Sequence, residues 1–285
     1  TELPLTAAGS GAKASLAVPA SATFVSLRLT AGNDQGGKLV RTVERALAGP
    51  VTPGDETVGA TTISKVKVNN GATRVVGDTE AIELDASFTA SDPVGIAKAG
   101  LYLWHGSNYI APDGFEIGAT DCRAANATTS NCTAIIYIHS YRWSMASNAL
   151  AGAWRVGAWA TSKDGKSFTD RHAAGTMTFK RRTQLSANAT PEPVKKGKTI
   201  TVTGTLTRQD WTNWSFKAHP GRPVTLQFRK AKTKTWVTVK TGKSSATGVV
   251  KVTTPAKADG DFRLVHFADA TSATYYSNPD YVDVK

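Results

Sequence analysis

Catalytic signatures are what this sequence most plainly lacks. It carries no Gly-x-Ser-x-Gly elbow, no His-Glu-x-x-His zinc helix and no glycine loop of the kind that cradles phosphate. Its five histidines, His105, His139, His172, His219 and His266, fall singly along the chain. The expectation is a protein that is not an enzyme; the remaining catalytic reading is a site assembled in space from distant loops. No run approaches the roughly 18 apolar residues that a membrane-crossing helix needs, so no membrane span is expected. Cysteine is scarce: Cys122 and Cys132 are the only two in 285 residues. They stand in a Thr/Ser/Asn-rich stretch without Cys-x-x-Cys spacing, which makes zinc or dithiol redox chemistry a poor fit. A short disulfide loop is expected instead. Closing it stabilises the fold by about 2–3 kcal/mol in the chain-entropy model, in an oxidising compartment only. A start at Thr1 rather than Met, with small residues abundant from Thr6 to Ala20, fits a chain that has lost a secretory signal, and a trimmed chain would look the same. The expected location is secreted, outside the cell.

Acidic residues are scarce in one region only. From Arg181 to Lys285 there are 18 Lys plus Arg against 7 Asp plus Glu, whereas the first 180 residues carry 16 against 15. Nearly all of the net charge of +12 therefore sits in the last third.

What the sequence does contain is period-2 alternation. Ile82, Leu84, Ala86, Phe88 and Ala90 alternate with Glu83, Asp85, Ser87 and Thr89, the pattern of a strand with one wet face. Similar runs occur at 99–104, 133–139, 153–160 and 175–180, with turns at Asp113-Gly114 and Asp164-Gly165. Further on, Ile200, Val202, Gly204 and Leu206 alternate with threonines, and Val224, Leu226 and Phe228 repeat the pattern before strands near 235–240, 249–254, 262–267 and 281–284. The expected fold class is all-β: tandem immunoglobulin-like β-sandwiches with a small N-terminal segment. Punctuation by Pro and Gly near 50–59 and 187–198 divides the chain into residues 1–58, 59–182 and 183–285. The stretch from Arg181 to Lys198 is short and basic, and leaves a hinge between the two sandwiches open. In the first segment Leu39, Val40, Val43, Ala46 and Leu47 fit helical spacing, while Leu39, Arg41, Val43, Arg45 and Leu47 alternate as a strand would, so strand-helix and hairpin readings both stand.

The phrases TPEPVKKGKTITVTGTLTRQDW (190–211), GRPVTLQFRKAKTKTWVTVKT (221–241), ADGDFRL and YVDVK resemble an immunoglobulin-like module of secreted actinomycete (Streptomyces-type) proteins. The phrases TTISKVKVNNG, ASFTASDPVGI, LWHG and GAWRVGAWATSKDG, with the Cys122/Cys132 stretch, resemble the module that often precedes it. Together these cover about 220 residues. The resemblance implies an exported protein and a sandwich fold; the family is mostly of unknown function, with some members loosely described as calcium-binding. SLRLTAGNDQGGKLVRTVERALAGP (26–50) resembles the opening hairpin of actinomycete subtilisin-inhibitor-type proteins, but the cysteines and reactive loop of those inhibitors are missing.

Three kinds of candidate site remain. Lys195, Lys196 and Lys198 precede one strand and Arg229, Lys230, Lys232 and Lys234 crowd a hairpin; single-sign clusters of this kind attract polyanions. The expected partner is a cell-wall polymer or another secreted protein, and no recognised module points to a specific nucleic acid. Trp211, Trp214 and Phe216, in a loop-like stretch, are a candidate aromatic platform, with capping of the core as the alternative role of either tryptophan. Trp104, Trp154 and Trp159 sit inside alternating strands and read as core. No cofactor is expected, calcium being the one ion weighed, at Asp78–Glu80, Asp92 or Asp259–Asp261; none has the alternating carboxylates of an EF-hand. The reading is a non-catalytic binding or interaction protein. A protease inhibitor displaying the N-terminal segment or the Cys122–Cys132 loop is the alternative, since a disulfide-held loop loses less entropy on binding.

Overall fold

The computed structural model of the chain describes residues 54–77, 81–107, 109, 112–139 and 145–285, and before them the backbone of four strands. The Asp78–Glu80 stretch lies outside the described residues. Residues 1–53 and 54–285 form two compact units. In the first, β1 (Thr6–Ala8) pairs with β2 (Gly11–Lys13), and β3 (Phe24–Gly32) pairs with β4 (Lys38–Ala46). The antiparallel register sets Leu27 opposite Val43 and Leu29 opposite Arg41. Of the two readings of this segment the hairpin is the one that forms, the period-2 pattern of Leu39 to Arg45 prevailing over the helical one.

The unit 54–285 holds two sandwiches, each with its own apolar core. The first is built from β5 (Glu56–Val58), β6 (Thr62–Val68), β7 (Arg74–Val76), β8 (Ala81–Ser91), β9 (Ile96–His105), β10 (Gly114–Ile117), β11 (Ala119–Ala124), β12 (Thr129–His139), β13 (Gly152–Ser162) and β14 (Phe168–Arg181). One sheet runs β10-β9-β13-β14-β5 with β7 also on β14, and the other runs β11-β12-β8-β6. β5 belongs to this sheet, paired Phe168 to Val58. Residues 56–58 are therefore part of the sandwich. The alternation along β8 is realised: Ile82, Leu84, Ala86, Phe88 and Ala90 are buried. They pack with Leu101, Leu103, Ile136, Ile138, Trp154 and Phe179, and each such side chain contributes about 1.5–3 kcal/mol by leaving water.

Cys122 and Cys132 are bonded. They face each other directly across the β11–β12 ladder, so the bridge is a cross-strand staple rather than the closure of an irregular loop. The residues between them are strand, turn, strand. Asn126 organises the turn, its side-chain oxygen accepting from the backbone N–H groups of Thr128 (3.0 Å) and Thr129 (2.8 Å). A ladder that satisfies its own backbone leaves little extended chain to offer a protease.

The second sandwich contains β15 (Thr183–Leu185), β16 (Asn188–Thr190), β17 (Thr199–Asp210), β18 (Ser215–Ala218), β19 (Pro223–Lys230), β20 (Val237–Lys243), β21 (Val249–Pro255), β22 (Gly260–His266), β23 (Tyr275–Tyr276) and β24 (Asp280–Val282). β17 is the spine of one sheet, pairing with β15, β16, β18 and β21; β20-β19-β22-β23 forms the other, with β24 also on β22. Ile200, Val202, Leu206, Val224, Leu226 and Leu264 are fully buried between them.

The connection between the sandwiches is not the open hinge that the sequence left possible. β14 ends at Arg181 and β15 starts at Thr183. Arg181 is clasped by the loop after β22, its N–H donating to Thr271 O (2.9 Å) and its carbonyl accepting from Ala273 N (3.0 Å). Its buried guanidinium donates from Nε to Gln209 O (2.6 Å). Backbone N–H to carbonyl bonds from Arg182 to Val76 (3.1 Å) and from Gln209 to Arg182 (2.8 Å) complete the clasp.

Candidate functional site

Of the three proposed platform residues, Trp211 is a correction. It follows β17 in sequence, yet its ring is 1% exposed and belongs to the core of the first sandwich. Asn148 holds it there with both ends of one amide: Oδ1 accepts from Trp211 N (2.9 Å) and Nδ2 donates to Asp210 Oδ1 (2.7 Å). The indole Nε1 points at Val76 O (3.4 Å). A tryptophan loses more free energy by staying wet than any other side chain here, and the gap beneath it is in the neighbouring domain. It does cap a core, but that of the other sandwich. Trp214 is exposed on the β17–β18 turn and Phe216 is half-buried on β18, so no three-ring platform forms. Of the strand tryptophans, Trp104 and Trp154 are buried and Trp159 is half-buried.

The lysines do come together. The turn after β21 accepts Gly197 N at Ala256 O (2.7 Å) and returns Ala256 N to Lys198 O (2.8 Å); on its other side Ala231 N donates to Asp259 O (2.9 Å). Lys195, Lys196 and Lys198 are thus brought to the same end of the sandwich as Lys230, Lys232 and Lys234, and Lys257 joins them. All seven are exposed. β17 runs from this end at Thr199 to the junction at Asp210, and twelve residues at about 3.3 Å each put the lysines roughly 35 Å from the first sandwich. Arg229 is the exception among the basic candidates. Directly opposite Asp261 on β22, it donates to Asp261 Oδ2 from Nη2 (2.9 Å) and Nε (3.1 Å) and lies 4.7 Å over Trp236. Its charge is spent within the sheet. Asp259 is likewise engaged, Oδ1 accepting from Val284 N (2.8 Å), and Asp92 accepts from Thr61 Oγ1 (2.8 Å) and Val94 N (3.0 Å).

Sequence reasoning missed two buried polar groups, because their members are far apart in the chain. On the outer face of the first sandwich, Tyr102 donates to Asp170 Oδ1 (2.7 Å) and Tyr109 stacks on the buried His172 at 3.7 Å. Gly157 and Gly100 form the floor: a Cβ on Gly157 would collide with the Tyr102 ring, and one on Gly100 with Trp159. Burial foremost, then the Asp170 charge, pushes the Tyr102 phenol well above its ordinary range. Burial disfavours the His172 cation, but the hydrogen bond and charge of Asp170, with Glu56 and Asp55, outweigh it and raise its pKa.

The second group corrects the reading of the histidines as single. His219, just after β18, and His266, at the end of β22, meet edge-to-face at 5.5 Å with Asp269 beside them. Both imidazoles are buried. Burial first, then Arg208 and Arg222, pushes His219 down to about 3, and burial chiefly lowers His266. One ligand atom from each of the three residues lies within 4.8 Å of the others. The geometry fits a metal or a structural polar plug; the buried Ser272 Oγ also lies 3.2 Å from His219 Nε2.

No family model and no curated relative matches the sequence. Among solved structures, the fibronectin(III)-like modules of Clostridium thermocellum CbhA are 13% identical over 77% of this chain and 93% of theirs, with a TM-score of 0.33. A marsupial T cell receptor is 11% identical over 81% of this chain and 73% of its own, at 0.37. Three tandem titin domains are 10% identical over 94% and 77%, at 0.29. Likeness at this level carries no partner or activity. The fold assignment, two immunoglobulin-like sandwiches in tandem, rests on the sheets themselves.

Proposed function

We propose that the chain is a non-catalytic extracellular binding protein whose second sandwich attaches to an anionic envelope polymer through its lysine-bearing end. The observation that carries this reading is the meeting of Lys195, Lys196 and Lys198 with Lys230, Lys232 and Lys234, about 30 residues apart in sequence, on one end of the fold. Asp259, whose carbonyl accepts from Ala231 N, and Asp283, whose carbonyl accepts from Val194 N, lie at the same end and reduce its charge without cancelling it. Several cations on one end create a field that concentrates polyanions, and each phosphate neutralised releases counterions, so binding weakens steeply as salt rises. The junction supports the same division of labour: with the sandwiches clasped at Arg181 and Trp211, the basic end is held facing away from the first domain. The staple at Cys122–Cys132 fits an oxidising location, and no helix among the described residues is long and apolar enough to cross a membrane.

The test is binding of the full chain to immobilised poly(glycerol phosphate) wall polymer at low and high salt, beside the variant K196E/K198E/K232E/K234E. The expected result is retention at low salt, release at high salt, and loss of retention in the variant. Retention that ignores both salt and charge reversal would overturn the proposal.

A further inference from the structure

At the junction end of the second sandwich two imidazoles and one carboxylate bring ligand atoms within 4.8 Å of one another, and those of His266 and Asp269 have no hydrogen bond. His266 Nδ1 lies 3.4 Å from Pro223 O. A carbonyl only accepts, so Nδ1 carries the proton and the neutral ring presents a lone pair at Nε2, an atom that is buried and has no hydrogen bond. Asp269 is divided in the same way. Its Oδ1 accepts from Ser272 N (2.7 Å) and Thr271 N (2.8 Å), which fixes the carboxylate, while the buried Oδ2 accepts no hydrogen bond and has only Arg222 Nη1 at 3.6 Å. His219 completes the set, its Nε2 3.2 Å from Ser272 Oγ. Two buried acceptors, His266 Nε2 and Asp269 Oδ2, cost free energy while no hydrogen bond reaches them.

We infer that His219, His266 and Asp269 form a binding site for a divalent transition-metal ion of the zinc class. An imidazole whose other nitrogen donates to a backbone carbonyl is oriented as metal-binding histidines are, and Asp269 is fixed from behind by backbone N–H groups in the same manner. Two imidazoles and one carboxylate suit Zn2+, Co2+, Ni2+ or Cu2+; Ca2+ and Mg2+ need more oxygens than this site supplies. Zinc bonds of about 2.0–2.2 Å set tetrahedral ligand atoms about 3.4 Å apart, so atoms now within 4.8 Å close by roughly 1 Å. Three protein ligands leave a fourth position for water.

Arg208 and Arg222 oppose the ion, and they differ in freedom. Arg208 is tied by Nη1 to Ser272 Oγ (2.9 Å) and Thr271 Oγ1 (3.2 Å). Arg222, at 42% exposure, has room to swing into solvent and release Asp269 Oδ2. The ion therefore replaces the Arg222 contact. Since the Asp269–Ala273 loop also clasps Arg181, an ion bound there tightens the junction between the sandwiches.

Zinc chloride titrated calorimetrically into the chelator-stripped full chain should saturate at one ion per chain and raise the thermal midpoint, as any ligand of the native state does. H266A and D269N should abolish this binding, whereas R222Q should strengthen it at least several-fold by removing the competing cation. Co2+ loaded into the unaltered chain should show the visible d–d bands of a low-coordinate nitrogen/oxygen site, a readout that requires no variant to fold. Absence of zinc saturation and of cobalt bands would overturn the site. So would binding that persists in folded H266A and D269N, which would assign the ion to His105–Asp113 or His172–Asp170 instead.

Discussion

In the first sandwich the buried His172 lies beside Asp170, whereas in the second the buried His219 and His266 lie beside Asp269 within the field of Arg208 and Arg222. One environment raises the imidazole pKa and the other lowers it, although all three rings are shut from water. Burial disfavours the cation at each position; at His172 the hydrogen bond and charge of Asp170, with Glu56 and Asp55, outweigh it, while at His219 and His266 the nearby Asp269 does not offset burial and the arginine charges. The contrast extends to whole surfaces. The first sandwich is close to charge balance and packs aromatic rings on its outer sheet. The second ties up Arg208, Arg229 and Arg263 in side-chain hydrogen bonds, and leaves its lysines exposed. Guanidinium forks hold fixed geometry at a junction or on a sheet, while ammonium groups on flexible stems suit a diffuse polyanion.

The largest expected effect comes from the residue that joins the two halves of this comparison. Trp211→Ala empties a site in the first core from a residue of the second sandwich, and should cost about 3–5 kcal/mol. Calorimetry should then resolve two unfolding transitions in place of a coupled one; a single transition with an unmoved midpoint would show that Trp211 does not link the domains.

Acidity should separate the sandwiches with opposite signs. The folded pKa of His219 lies near 3 against 6.5 unfolded, so between those values the unfolded state binds more protons and acid destabilises the second sandwich progressively. His266 is shifted in the same direction. His172 is raised, so its contribution is present below the ordinary histidine range and is lost as the pH climbs through its folded value. Denaturant midpoints followed by NMR signals from each domain should move apart as the pH falls from 7 to 4. His172→Gln should flatten the first response and His219→Gln the second.

The smallest effect sharpens the comparison. Charge reversal at Lys196, Lys198, Lys232 and Lys234 should change stability by no more than about 0.5 kcal/mol per site, since these side chains are exposed and support no packing. A larger loss in thermal denaturation would mean that the basic end is structural.

Period-2 alternation at Ile82–Ala90 and Ile200–Leu206 determined by itself that these segments are strands with one buried face, because side-chain direction in a strand depends only on parity. The uneven charge determined that any polyanion surface belongs to the last third, and the two cysteines determined one bridge. The hairpin at 24–46 was legible as one of two readings. Only the tertiary structure decided which core Trp211 fills, since apolar character says that a ring is buried and not where. It alone brought His219 to His266 and Asp269, set Arg229 opposite Asp261, and closed the Arg181 hinge. Each of these depends on residues 28 to 135 positions apart in the chain, a separation at which local pattern carries no information and packing of sheet against sheet decides.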